Sequence, residues 1–126
     1  MNARAGHLKH ILVVDDEPLV AQSIQMLLGD DEYVVDQARD GYQALGMFEP
    51  GKFDMVFTDY IMPEMRGDKL AAAIKCLWPG QPVVMVTAFP EKLQTSDTAL
   101  GGVSAFICKP FDAETLRKAI AQYGQH

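Results

Sequence analysis

Cysteine is scarce: two residues in 126, Cys76 and Cys108, too few for a disulfide framework or a zinc set. Both are expected as reduced thiols in the core, since free cysteine behaves as a small hydrophobe. Histidine is equally thin. His7, His10 and His126 lie towards the ends of the chain, without metal-ligand spacing on a helix. Long apolar runs are missing. Ile-Leu-Val-Val at 11–14 falls far short of the ~20 residues a membrane span needs. The stretch around Arg4 and Lys9 lacks the apolar core of a signal peptide. A soluble, cytoplasmic protein with no membrane partner is expected. Basic charge is in deficit, 11 Lys and Arg against 17 Asp and Glu, for a net charge of −6. Nucleic-acid affinity comes mainly from basic groups facing phosphates, so no direct nucleic-acid binding is expected. Repeats, low-complexity tracts and linkers are absent too, and residues 1–126 read as one domain. The rest is ordinary globular composition, 48% hydrophobic and 22% charged, which excludes disorder, collagen and coiled coil.

What is present is alternation. Short apolar runs at 10–14, 33–38, 55–58, 83–86 and 105–108 predict strands. Between and after them, helical spacing predicts helices over 18–28, 40–48, 68–78, 90–100 and 112–123. Pro18 suits a first helical turn, and Asp40 suits an N-cap. Leu70, Ile74 and Leu77 share one helix face, as do Leu116, Ile120 and Tyr123. The helix over 90–100 is polar and weakly anchored. Five β-α pairs in strict alternation predict an α/β fold, a parallel sheet with helices on both faces. Strands buried on both faces read as unbroken apolar runs. The second run carries Asp36 and Gln37, so it suits an edge.

In such sheets ligands bind beyond the carboxyl ends of the strands. Asp15, Asp16 and Glu17 follow the first strand, Asp59 the third, Thr87 the fourth and Lys109 the fifth. Each has a plain structural reading as well. Asp16 serves equally as a helix N-cap, Thr87 as a turn residue and Lys109 as a solvated charge. Together they would converge on one edge of the sheet. Carboxylates in one pocket repel unless their pKa values rise or a cation binds. With no histidine or thiolate near, the donor set favours a hard cation, Mg²⁺ first. A metal, a lysine and a hydroxyl around a carboxylate form a site for an oxygen-rich anion such as a phosphoryl group. The carboxylate can be its nucleophile.

The stretches Ile11-Leu-Val-Val-Asp-Asp-Glu17, Asp59-Tyr-Ile-Met-Pro-Glu-Met-Arg-Gly67, Val86-Thr-Ala88 and Lys109-Pro-Phe111 stand in the order and spacing of a known family. The chain resembles a response regulator receiver domain of two-component signalling, similar to the single-domain chemotaxis and sporulation members. The resemblance covers roughly residues 9 to 123. It implies the flavodoxin-like (βα)5 fold, with strand order 2-1-3-4-5. It implies that Asp59 is the phosphoacceptor, served by the phosphohistidine of a histidine kinase or phosphotransfer domain. Asp16, Asp59 and the backbone carbonyl of Ile61 would bind Mg²⁺, with Asp15 acting through water. Lys109 would pair with one phosphoryl oxygen and Thr87 with another, and the Lys109–Pro110 bond would be cis. Thr87 and an aromatic residue, here Phe106, would form the switch. Output would pass through the face made by the fourth helix, fifth strand and fifth helix to a downstream protein or fused output domain. The state expected is a monomer or a weak dimer through that face.

Three departures refine this. Phe106 replaces the commoner tyrosine and lacks its hydroxyl, so its inward, buried rotamer is expected even before phosphorylation. Ile61 and Phe89, two residues after Asp59 and Thr87, are apolar and cannot orient a hydrolytic water, which predicts slow loss of phosphoryl. Residues 102–105 lack acid, against the acidic dimer type of DNA-binding members, and Leu93, Leu100, Ala105 and Tyr123 offer apolar contacts instead. The protein is thus read as no enzyme in the ordinary sense, its chemistry confined to its own Asp59. The alternative is a receiver-like interaction module that works without phosphorylation. An aspartyl phosphatase would want an acid at Ile61. A flavin-binding member would not place Asp15, Asp16 and Glu17 after the first strand. Met1 fits a natural start, and the chain is either a stand-alone regulator or part of a longer one.

Overall fold

The structure is a computed structural model that describes residues 8–29, 31–88 and 103–124. Its elements run β1 (Lys9–Val14), α1 (Pro18–Leu28), β2 (Tyr33–Ala38), α2 (Gly41–Met47), β3 (Met55–Asp59), α3 (Gly67–Leu77), β4 (Val83–Thr87), β5 (Ala105–Cys108) and α4 (Ala113–Tyr123). The predicted helix over 90–100 lies outside the described residues, as do Phe89, Leu93 and Leu100. The C-terminal helix predicted over 112–123 is α4.

The five strands are all parallel, in the order β2-β1-β3-β4-β5. The interior strand β1 sets the register with its two neighbours, with Ile11 beside Val35 on one side and Met55 on the other. Side chains alternate between the two faces of a strand, and the core divides accordingly. On one face Ile11, Val13, Met55, Phe57, Val84 and Val86 meet Ile24 and Leu28 of α1 and Leu116 and Ile120 of α4. On the other, Leu12, Val14, Val56 and Val83 meet Ala44 of α2 and Leu70, Ala71 and Ile74 of α3. A parallel strand covered on both faces has no polar side to offer. This is why β1, β3 and β4 are nearly continuous apolar runs.

Helix starts follow their local chemistry, with one correction. The side chains of Asp40 and Asp112 accept from the backbone N–H of Gln43 and Thr115, as N-caps do. At α1 the cap residue is Glu17, without a side-chain cap bond, and Pro18 opens the helix. Asp16 is therefore free of capping duty.

The cysteines overturn the expectation of buried thiols, because both are exposed. On α3 the buried stripe is Leu70, Ala71 and Ile74. Cys76 lies two residues past Ile74, about 200° around the helix. Cys108 lies on an edge strand where only Ile107 is fully buried. Leu77 also departs from the predicted stripe and is exposed on the last turn of α3.

Candidate functional site

Since all strands are parallel, their carboxyl ends share one edge. Asp15 follows β1, Asp59 and Thr87 end β3 and β4, and Lys109 follows β5. The edge strand β5 is joined to β4 past its last residue, where the Lys109 N–H donates to the Thr87 carbonyl at 2.8 Å. The Lys109–Pro110 peptide bond is cis.

Carboxylate oxygens of Asp15, Asp16 and Asp59 all lie within 4.8 Å of one another. Asp15 is buried, Asp59 partly buried and Asp16 exposed, so the cluster opens outwards. Lys109 Nζ reaches in from β5, 3.0 Å from Asp15 Oδ2 and 3.7 Å from Asp59 Oδ2. The other oxygen of Asp15 accepts the backbone N–H of Glu17 at 2.9 Å. Both Asp15 oxygens thus have donors within the protein. Asp59 is less well served. Burial pushes its carboxyl above the ordinary carboxylate range. Lys109 opposes that shift, Asp15 reinforces it, the backbone N–H of Tyr60 opposes it, and Asp16 adds to it.

Two of the three carboxylates therefore share one ammonium. The set is all oxygen and open on one side, and it could hold a metal ion. Hard divalent cations suit such donors. Thr87 is almost fully buried at the same edge. Ile61 is exposed two residues beyond Asp59. Beside Lys109 lies a groove of about 610 Å³, lined by Ser23, Met26 and Leu27 of α1 and by Ala88, Pro110 and Phe111.

Phe106 departs from expectation, for its side chain is 48% exposed rather than turned inward. Met85, its register neighbour on β4, is fully buried, and it packs with Tyr60 and Val103 on that side of the sheet. The missing tyrosine hydroxyl therefore does not by itself turn the ring inward.

The sequence profile described as the response regulator receiver domain matches residues 11–121. The chain belongs to the response regulator receiver family. Chemotaxis protein CheY of Pseudomonas aeruginosa is 37% identical over 113 residues, which cover 87% of this chain and 91% of CheY. Transcriptional regulatory protein GlrR of Escherichia coli is 34% identical over 111 residues, which cover 88% of this chain and 25% of GlrR. This receiver thus spans about a quarter of that relative. Among solved structures, a response regulator receiver domain protein of Clostridium thermocellum superposes with a TM-score of 0.81 at 29% identity, covering 92% of this chain and 94% of the other. Response regulator TrrA of Thermotoga maritima, in complex with Mg²⁺-BeF, superposes with a TM-score of 0.81 at 28% identity, covering 92% of this chain and 99% of the other. The chain is accordingly a receiver domain of two-component signalling.

Two residues at this receiver's site make a contact that the motifs did not foretell, Thr58 at the end of the third apolar run and Gly67 at the end of the stretch that begins with Asp59. Thr58 is fully buried and donates its hydroxyl to the Asp59 carbonyl at 3.0 Å. Gly67 begins α3 against the same carbonyl. The available signals were a lone threonine in an apolar strand and a glycine in the first turn of a helix, where glycine is unfavourable.

Proposed function

We propose that this receiver takes a phosphoryl group on Asp59 from the phosphohistidine of a histidine kinase or phosphotransfer domain. The observation that carries the reading is the cluster of Asp15, Asp16 and Asp59 with Lys109 bridging two of them. An oxygen of the Asp59 carboxylate forms a bond to phosphorus as the donor's phosphorus–nitrogen bond breaks. The electron pair of that bond stays on the imidazole nitrogen. Lys109 and the Thr87 hydroxyl would each meet a phosphoryl oxygen. Positioning and charge neutralisation are what this transfer requires.

Mg²⁺ fits the donor set and would be held by Asp16, Asp59 and the backbone carbonyl of Ile61. When bound it would neutralise charge on the phosphoryl oxygens. Asp15 already accepts from Lys109 and from Glu17 N–H. That supports a role for Asp15 through water rather than as a direct ligand.

The groove beside Lys109 is the proposed seat of the donor domain. It adjoins the lysine, and Met26 on its rim is exposed and apolar. Ile61, exposed at the phosphoacceptor, supplies no group to orient water, which supports slow loss of phosphoryl. Output would follow from movement of Thr87 towards the phosphoryl group, with Phe106 turning into the space released. The face around β5 and α4 would then bind a downstream protein or a fused output domain, the receiver itself being a monomer or a weak dimer. No external substrate is turned over. Among the described residues, no helix is long and apolar enough to cross a membrane. We place the domain in the cytoplasm, where its phosphodonors act.

Intact mass after incubation with Mg²⁺ and acetyl phosphate tests the reading, with Asp59→Asn as control. The expected result is the gain of one phosphoryl group, lost in the variant and without Mg²⁺. No gain in the folded protein would overturn it in favour of phosphorylation-independent docking.

A further inference from the structure

The main-chain carbonyl of Asp59 is held from two sides. Thr58, fully buried in β3, donates Oγ1–H to that oxygen at 3.0 Å. Gly67, at the start of α3, stands so close that a Cβ built on it would lie 2.2 Å from the same oxygen and 3.1 Å from its carbon. Real Cβ atoms do not approach backbone so closely. Gly67 is not in the left-handed region, so what glycine supplies here is room, not conformational freedom. The Gly67 N–H donates to the Tyr60 carbonyl at 2.8 Å and ties the start of α3 to the next peptide along.

The geometry of the peptide makes this more than packing. The clamped oxygen and the Tyr60 N–H belong to one planar unit. On the other side of the Asp59 Cα, the chain is fixed in the ladder by the pairing of Asp59 with Val86. With its carbonyl held and its strand paired, Asp59 keeps little freedom in ψ. Its Cα–Cβ direction follows, and so does the carboxylate's position relative to the Tyr60 N–H.

We infer that Thr58 and Gly67 are positioning residues, which clamp the Asp59–Tyr60 peptide and thereby aim the Asp59 carboxylate at the space bounded by Lys109, Asp15 and Asp16. The inference rests on Asp59 being the phosphoacceptor. Neither residue touches the phosphoryl group. Their effect lies in how often the carboxylate stands in the attacking geometry, so it belongs to the rate of transfer rather than to donor binding.

The test compares Thr58→Val, Thr58→Ser and Gly67→Ala with the parent in Mg²⁺ and acetyl phosphate. The rate of phosphoryl uptake at saturating donor and the half-saturating donor concentration are measured separately. Thr58→Val keeps the shape and removes the donor. It should slow saturated uptake about fivefold while leaving the half-saturating concentration within about a factor of two. Thr58→Ser restores the hydroxyl and should recover the rate. Gly67→Ala should be slower still, by about tenfold or more. If Gly67→Ala fails to fold, the Thr58 pair decides. A Thr58→Val protein that matches the parent, or a Thr58→Ser protein as slow as Thr58→Val, overturns the clamp. A parent that takes up no phosphoryl group overturns the phosphoacceptor reading itself, a result distinct from any difference among the variants.

Discussion

Two groups of acidic side chains flank the sheet, and they solve the same electrostatic problem differently. Around His10 on β1, Asp54 and Asp36 are each matched by a separate nitrogen of that one residue. The His10 backbone N–H donates to Asp54 Oδ2 at 2.7 Å, and its ring Nε2 lies 2.6 Å from Asp36 Oδ2. The imidazole also packs edge-on against Phe53, centroids 4.9 Å apart. At the carboxyl ends, Asp15 and Asp59 share Lys109, and Asp16 adds a third carboxylate beside them. Asp15 takes the shorter contact, and Asp59 is left at 3.7 Å with its carboxyl pushed up by burial. The first group is a closed structural contact. The second is a charge deficit that a cation would relieve. Identical residue types thus become a fastening or an open cluster short of donors, according to how many donors the fold brings to them.

The largest expected effect separates the two groups by function. Lys109→Ala should slow phosphoryl uptake by about a hundredfold, the usual scale for losing one charge-stabilising donor at a reacting group. His10→Ala should leave uptake unchanged, and a comparable loss there would erase the distinction. Next in size is the response to metal. At a hundred times its dissociation constant, Mg²⁺ should stabilise the parent by about 2.7 kcal/mol, read from urea midpoints. Asp59→Asn should lose most of that gain, and Asp36→Asn none of it.

A smaller effect lies on the structural side. His10→Ala should lower unfolding stability by about 2 kcal/mol, since it removes both the hydrogen bond to Asp36 and the edge-on packing on Phe53. Combined with Asp59→Asn, the two changes should add to within about 0.5 kcal/mol, since the groups share no partner. The smallest effect is the linkage to pH. Folding raises the Asp59 pKa, so it favours the protonated form. Its contribution to stability is complete below the unfolded value of about 3.9 and is lost as pH rises through the higher folded value. Asp59→Asn removes that loss. Without Mg²⁺, its stability advantage over the parent should be greatest near neutral pH and should shrink in acid, read from urea midpoints across that range.

The architecture was legible because it depends on local chemistry. Alternating apolar runs and helical stripes define the elements, Pro18, Asp40 and Asp112 mark helix starts, and parallel pairing sends every strand end to one edge. The convergence of Asp15, Asp16, Asp59, Thr87 and Lys109 follows from that pairing alone. Exposure and close approach were another matter. Phe106 lies outward beside the buried cluster of Met85, Tyr60 and Val103, none of which adjoins it in sequence. Cys76 and Cys108 are exposed because of where a helix stripe and an edge strand happen to face. Thr58 and Gly67 meet over one carbonyl because α3 is seated against the end of β3. Periodicity tells which way a side chain points from its own element. Only the packing of several elements decides what already occupies the space it points into.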